Sequence, residues 1–379
     1  MKFYLTQKQL TILQEKSKLF SYLSTNLTRA YFGIGNNQFA IMLKGSQGLA
    51  KLYIDVDVPE AITVMSVEYG KWLNALSKLN FADKVLCELS TKSLKLSIAG
   101  SKDIIALSIT SYGEASSEKQ IFESYIENQR SSNEFISFNL NEDLSRALNI
   151  TNNMFNTAGR NNAVLLTEDS VTYADRSIIV KVDLDQRLPF QKAEMHKYTA
   201  KLLTFLERFN SEVFFSSNQG GGSAGLLYWE DSNCKILLLS EACDIAIPTA
   251  EELDGITPNK KEASLICIDN KGLQEALGFF DGFYENSAWK PITMVSNGSV
   301  ASLYYNHPTT EITKTLEGKH LEVKGSGDFI VASEALNKLI NHTVEDGELL
   351  VSFYYDDQAP GVSCTIGDKY EIVFAKLVE

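Results

Sequence analysis

The sequence predicts an α+β protein made of three tandem copies of one unit, strand–helix–strands–helix–strands. Three observations predict it. Amphipathic stretches follow a short strand at three places, with Leu10, Leu144 and Leu273 in similar positions and separations of 134 and 129 residues. A second amphipathic stretch comes about 60 residues after each, with Leu73, Leu203 and Leu336 separated by 130 and 133 residues. Alternating apolar and polar runs then follow each second stretch, which is the pattern of half-buried strands.

The elements follow in chain order. Lys2 to Leu5 reads as a strand before a helix over 6–18, Phe135 to Leu140 before one over 141–153, and Ser264 to Ile268 before one over 270–283. The second helices fall over 67–79, 196–209 and 332–343. In the middle one Tyr198, Leu202, Phe205 and Phe209 recur at i, i+4, i+7 and i+11, an apolar stripe at helical spacing. Strands are expected over 84–89, 93–98 and 104–110, then 212–217, 224–229 and 235–240, then 348–355, 361–366 and 371–377. Two polar connectors, Ser111 to Glu134 and Pro248 to Glu262, read as linkers by composition. The domains expected are therefore 1–127, 128–259 and 260–379.

Composition bounds the function. The chain has 379 residues, enough for two or three domains with cores that need no disulfide or metal. Mean hydropathy is −0.11 with 44% hydrophobic residues, ordinary for a soluble protein. Lys and Arg number 35 against 48 Asp and Glu, a net charge of −13 that excludes coating nucleic acid through an overall positive surface. No apolar run approaches ~18 residues and no apolar centre marks a signal peptide near Met1, so no membrane partner is expected. The five cysteines, Cys87, Cys234, Cys243, Cys267 and Cys364, include no Cys-x-x-Cys pair and read as buried thiols in a reducing cytoplasm.

The polar helix faces carry the functional signal. Lys197, Lys201, Thr204 and Arg208 share one stripe with no acid among them. Lys71, Asn74 and Lys78 repeat it in the first unit, and Lys338 and Asn341 do so more weakly in the third, opposed by Glu334. The six helices together carry +2, leaving −15 for the rest of the chain. With Arg29, Arg146, Arg160 and Lys271, these make ten candidate DNA-facing cations: Arg29, Lys71, Lys78, Arg146, Arg160, Lys197, Lys201, Arg208, Lys271 and Lys338. A tight binder neutralises roughly 6–10 phosphates. Few cations per unit, backed by Asn and Thr, would hold duplex DNA weakly and without sequence preference. Each stripe taken alone is also what a solvated helix face looks like.

The pattern resembles bacterial beta-type DNA sliding clamps, the processivity factors of replicative DNA polymerases. The resemblance covers the whole chain. It rests on length, repeat layout and local echoes: Met1-Lys2-Phe3 before a polar helix, Val171 to Val180 as the strand and turn of the second domain, Asp328 to Leu339 entering the last helix, and Lys376-Leu377 near the end. Asp175-Arg176-Ser177 departs from the family's Gly-His-Arg, and Phe374 stands where its tail has Pro, marking a divergent member, bacterial or phage-encoded. The resemblance implies three domains of one topology, sheets outside and helices lining a ring closed head to tail by a homodimer. It implies double-stranded DNA, a DNA polymerase and a clamp-loader ATPase as partners, and no cofactor. It implies a pocket for partner peptides at Tyr173, Arg176, Ile178, Pro248, Leu253, Val373, Phe374 and Leu377. By position it places Leu76, Ile105, Leu107 and Phe283 at the subunit interface.

No enzyme constellation stands out, and the expectation is a non-enzyme. Gln219 to Gly225 lacks the Gly-Lys-Ser/Thr of a phosphate loop and reads as a hairpin loop, and Gly33-Ile34-Gly35 lacks a third glycine. His196, His307, His320 and His342 are scattered without zinc-site spacing. Two alternatives stay open at this point: a clamp-like scaffold that recruits transcription or repair proteins to DNA, and an α+β repeat enzyme whose site the sequence does not display.

Overall fold

The computed structural model describes residues 1–23, 29–45, 48–60, 62–79, 82–112, 115–154, 163–175, 178–217, 225–239, 248, 250–283, 290–307, 309–343 and 347–375, with backbone alone for 111–112, 115–123, 163, 217, 239 and 250. The first repeat runs β1 (Lys2–Thr6), α1 (Gln7–Leu19), β2 (Arg29–Gly35), β3 (Gln38–Gly45), β4 (Gly48–Asp55), β5 (Thr63–Glu68), α2 (Tyr69–Lys78), β6 (Lys84–Leu89), β7 (Ser93–Ile98) and β8 (Ile104–Tyr112). A connecting helix, α3 (Ala115–Ser132), follows. The second repeat runs β9 (Ile136–Asn139), α4 (Glu142–Met154), β10 (Ala163–Thr167), β11 (Ser170–Ala174), β12 (Ile178–Asp183), β13 (Lys192–His196), α5 (Lys197–Leu206), β14 (Glu212–Ser217), β15 (Gly225–Glu230) and β16 (Cys234–Leu239), and then the short α6 (Ala250–Ile256). The third runs β17 (Ser264–Asp269), α7 (Asn270–Gly278), β18 (Pro291–Asn297), β19 (Ala301–His307), β20 (Thr310–Thr315), an added β21 (Glu322–Lys324), β22 (Ser326–Ala332), α8 (Ser333–Thr343), β23 (Leu350–Tyr355), β24 (Gly361–Ile366) and β25 (Tyr370–Ala375).

The helices begin where local chemistry favours them. Thr6 caps α1 reciprocally with Gln9: the Thr6 N–H donates to Gln9 Oε1 at 2.7 Å while the Gln9 N–H donates to Thr6 Oγ1 at 3.4 Å. Asp269 caps α7 by accepting the Gly272 N–H at 2.7 Å. Both connectors differ from the linker reading, because each carries a helix. The Ser, Glu and Gln of the first mask the one feature that seats it: Ile126 on α3 is 3% exposed, packed against Met42, Leu49, Leu226, Tyr228 and Leu237.

The sheets explain how the repeats join. The chain divides into two compact units, Met1–Asn141 with Tyr198–Ala242, and Glu142–Lys197 with Cys243–Glu379. The first unit holds one antiparallel sheet in the order β1-β6-β7-β8-β5-β2-β3-β4-β16-β15-β14-β9. The second holds two, β13-β10-β11-β12-β25-β24-β23-β17-β21 and β20-β19-β18-β22. Each repeat thus supplies two sets of four strands. The set β5-β2-β3-β4 of the first repeat meets β16-β15-β14-β9 of the second through β4·β16, from Gly48↔Leu238 to Leu52↔Cys234. The set β13-β10-β11-β12 meets β25-β24-β23-β17 through β12·β25, from Ile178↔Phe374 to Val182↔Tyr370. Gly48 is required at the first joint, since a Cβ there would overlap the Leu237 carbonyl.

Helices pack on both faces of the larger sheets. In the first unit Trp72 on α2 packs edge-on to Phe32 at 4.8 Å and to Phe39 at 6.1 Å. Phe32 pairs across the sheet with Ile41, while its neighbour Tyr31 pairs with Met42 on the opposite face, where α3 lies. In the second unit α4 packs on β11 and β12 and against α8. Lys16 on α1 forms a buried ion pair with Asp231 in the turn before β16, with side chains 6% and 11% exposed. The four described cysteines, Cys87, Cys234, Cys267 and Cys364, are buried free thiols, and Cys243 lies outside the described residues. Burial pushes the Cys87 and Cys234 thiols up, away from the reactive thiolate.

Candidate functional site

The predicted cations differ in their surroundings. Lys78 on α2, Lys201 on α5, Arg208 just beyond it, Lys271 on α7 and Arg29 at the start of β2 are exposed, and among the described residues no ion pair engages them. Lys201 lies 6.0 Å from the ring centroid of Tyr22, and the Arg208 guanidinium lies 5.6 Å from that of Phe205. Lys71 pairs with Glu68 at 2.6 Å and Lys338 with Glu334 at 3.1 Å, both at helical spacing near the surface. Such pairs are worth ~0.2–1 kcal/mol and are screened by salt, so neither lysine is held firmly by its acid. Arg146 is committed inside its own unit: it donates to the His342 carbonyl at 2.8 Å and lies 5.8 Å from the Tyr370 ring. Lys197 is half-buried at the first residue of α5, and Thr204 donates to the Lys201 carbonyl at 2.8 Å. Arg160 lies outside the described residues.

The predicted peptide-pocket residues split across the two faces of a sheet. Within Val171 to Val180, the described residues belong to the paired strands β11 and β12, and Asp175 accepts the Ile178 N–H at 3.0 Å. Register Tyr173↔Val180 and Ile178↔Phe374 places Tyr173, Ile178 and Phe374 on the face that carries α4, and all three are buried. Register Ala174↔Ile179 and Ile179↔Val373 places Val373 on the other face. There Leu165, Ala174, Ile179 and Val373 form an apolar patch, with Leu253 and Ile256 of α6 packed against it. Pro248 lies half-buried before α6, and Arg176 and Leu377 fall outside the described residues. So Leu253 and Val373 come together, while Leu165, Ala174, Ile179 and Ile256 were missed. The signal for them was strand parity, readable only once β12 is known to pair with β25.

An equivalent patch lies at the first joint. Register Leu49↔Leu237 across β4·β16 matches Ile179↔Val373 across β12·β25, and Tyr31 on β2 corresponds to Leu165 on β10. Here α3 covers the patch. Its hold is extended by Lys235 to Glu127 at 3.0 Å and Arg130 to Glu230 at 2.9 Å. The hydrogen bond from Lys235 pulls the Glu127 carboxyl below its ordinary range.

The predicted interface residues also separate. Leu76 and Leu107 are core residues at 2% and 4% exposure, Ile105 is half-buried and Phe283 is exposed. Their surroundings hold two free sheet edges. β8 pairs with β7 through Ser93↔Ser108 to Ser97↔Ile104, but its other side pairs with β5 only from Ile109 onward. Among the described residues β20 pairs with β19 alone. Ile104 on β8 and Phe279 beyond α7 are large exposed apolar side chains that sequence reasoning missed.

Among the described residues no helix is long and apolar enough to cross a membrane, and no group of His, Cys, Asp or Glu is placed to hold a metal ion. The glycine run 219–225 lies outside the described residues except for Gly225, which opens β15.

No protein-family model matches the sequence, and no curated protein is similar to it. The fold, in contrast, is that of bacterial beta sliding clamps. The DNA polymerase III subunit beta of Pseudomonas aeruginosa superimposes with a TM-score of 0.73 at 14% identity over the whole of both chains. The DNA polymerase III subunit beta of Borrelia burgdorferi, solved with a natural product, gives 0.72 at 9% identity over all of this chain and 99% of the other. The Helicobacter pylori beta clamp, solved with a DNA ligase peptide, gives 0.67 at 13% identity over both whole chains.

Proposed function

We propose that this chain is a DNA sliding clamp, a non-enzymatic factor that encircles duplex DNA and tethers a replicative DNA polymerase. The observation that carries the reading is the arithmetic of the joints. Two joints of one kind, β4·β16 and β12·β25, leave a single unused pair of matching sets: β22-β18-β19-β20 of the third repeat and β8-β7-β6-β1 of the first. An open edge invites another chain. Pairing β20 of one copy with β8 of another repeats the same joint and closes a head-to-tail ring of two chains, with three domains each near 1–127, 128–259 and 260–379. Exposed Ile104 and half-buried Ile105 on β8, with exposed Phe279 beside Lys314 of β20, supply its apolar contact.

Retention is then topological. The exposed cations Arg29, Lys78, Lys201, Arg208 and Lys271, with Lys71, Lys197 and Lys338, touch phosphates weakly enough to permit sliding. Since the ring must open to admit circular DNA, a loader ATPase that opens it belongs to this reading. The patch at Leu253, Ile256 and Val373 takes partner peptides, as supported by a peptide-bound clamp of the same fold. The place of work is the cytoplasm, where the four buried thiols stay reduced.

Loading onto a nicked circle tests this. The protein should stay on the circle through a high-salt wash and leave within the wash once a restriction enzyme linearises it. Equal retention on both forms would sink the reading.

A further inference from the structure

One cavity lies on the helix side of the first unit and is not explained by contact with duplex phosphates. It measures about 490 Å³, within the ~300–1,000 Å³ typical of ligand sites, and lies where α1 approaches α5. Tyr22, Phe205, Phe209, Arg208 and Lys18 line it, and among the described lining residues Glu15 is the single acid. Tyr22 and Phe205 are stacked, centroids 5.3 Å apart and planes 22° apart, and both rings are half-exposed. Lys201 hangs 6.0 Å from Tyr22 and Arg208 5.6 Å from Phe205, near the ~6 Å outer limit of cation–π contact. The nearby Lys16 is unavailable, being buried with Asp231.

Duplex DNA has no use for such rings. Its bases are stacked inside and offer phosphates and groove edges only. An unpaired base offers a bare π face, and sites for single strands combine aromatic platforms with cations that follow the backbone. We propose that this cavity is a stacking site for an unpaired base of single-stranded DNA. Tyr22 and Phe205 form the platform, and Lys18, Lys201 and Arg208 hold the phosphates on either side. An incoming base extends the Tyr22–Phe205 stack and displaces the loosely placed cations onto the strand. This rests on the clamp reading and adds to it a contact with single-stranded DNA.

The test uses the full-length protein and a 12-nucleotide single strand carrying 2-aminopurine, with the same strand in a duplex as control. Stacking should quench the fluorophore in the single strand. The double variant Tyr22→Leu with Phe205→Leu should abolish the quench and weaken single-strand binding about five- to 150-fold. Tyr22→Phe, which keeps the ring, should restore both in the Phe205 background. Retention of the double variant on a nicked duplex circle should equal that of the wild type. Unchanged quench and affinity in a correctly folded double variant, checked by circular dichroism and solution mass, would overturn the proposal. Failure of the wild type to remain on the circle would instead refute the clamp reading and leave the oligonucleotide result standing.

Discussion

Replacing Ile126 by Ala isolates what holds α3 to the sheet. Ile126 is 3% exposed and sits among Leu49, Leu226, Tyr228 and Leu237. Ile→Ala at a buried site costs ~2–5 kcal/mol, from lost transfer energy and the cavity left behind. The lower end applies, because α3 is a surface helix that can settle inward. The flanking ion pairs compete poorly. Glu127 is 58% and Arg130 44% exposed, and each such pair contributes ~0.2–1 kcal/mol. Local opening of α3 should therefore be governed by one methyl-bearing side chain rather than by two salt bridges. At a tenfold change per ~1.4 kcal/mol, Ile126→Ala should speed amide exchange along α3 about 30-fold, and Glu127→Ala less than about fivefold. Exchange would be followed by mass spectrometry on peptides spanning 115–132. Equal acceleration in the two variants, or none with Ile126→Ala, would show that α3 is not seated as described.

Other outcomes follow from the same geometry. Asp231→Ala strands the buried Lys16 ammonium and removes acceptors for the Asn233 and Cys234 N–H groups, each at 2.8 Å, so thermal unfolding should register a loss of ~3–5 kcal/mol. Lys16→Met with Asp231→Leu, which removes both charges, should cost less than Asp231→Ala alone. Changing Lys197, Lys201 and Arg208 together to Glu should weaken loading onto DNA and leave the solution mass unchanged; a fall in mass would make the stripe an interface instead. Leu253→Asp puts a carboxylate against Leu165, Ile179 and Val373 and, on the proposed reading, should abolish capture of a polymerase-derived peptide, measured by fluorescence anisotropy.

Much of the fold was legible because it occurs three times. The periodicities around Leu10, Leu144 and Leu273 gave first helices that start within a residue of expectation, and β6, β7, β14 and β24 match their expected spans. Errors gathered where tertiary context decides. α3 was hidden because Ser, Glu and Gln read as a linker when the patch that receives Ile126 is out of view. The third helix of the first kind stops at Gly278 rather than Phe283, giving way to turns. The candidate site was half legible. Tyr173, Ile178 and Phe374 sit close in space to Val373 yet point through the sheet, a distinction fixed by the Ile179↔Val373 register and by nothing local. Ile104 and the free side of β8 were illegible for the same reason, since an edge is defined by which strand fails to pair.

The pairing of β8 with β20 of a second copy is the claim on which encirclement depends, and the mass in solution tests it most directly. Light scattering at micromolar concentration should give twice the 42.2 kDa of one chain, and Ile104→Asp, a charge set into that edge, should halve it. A wild-type protein that stays at 42.2 kDa across that range would contradict the account, because one chain leaves both edges open.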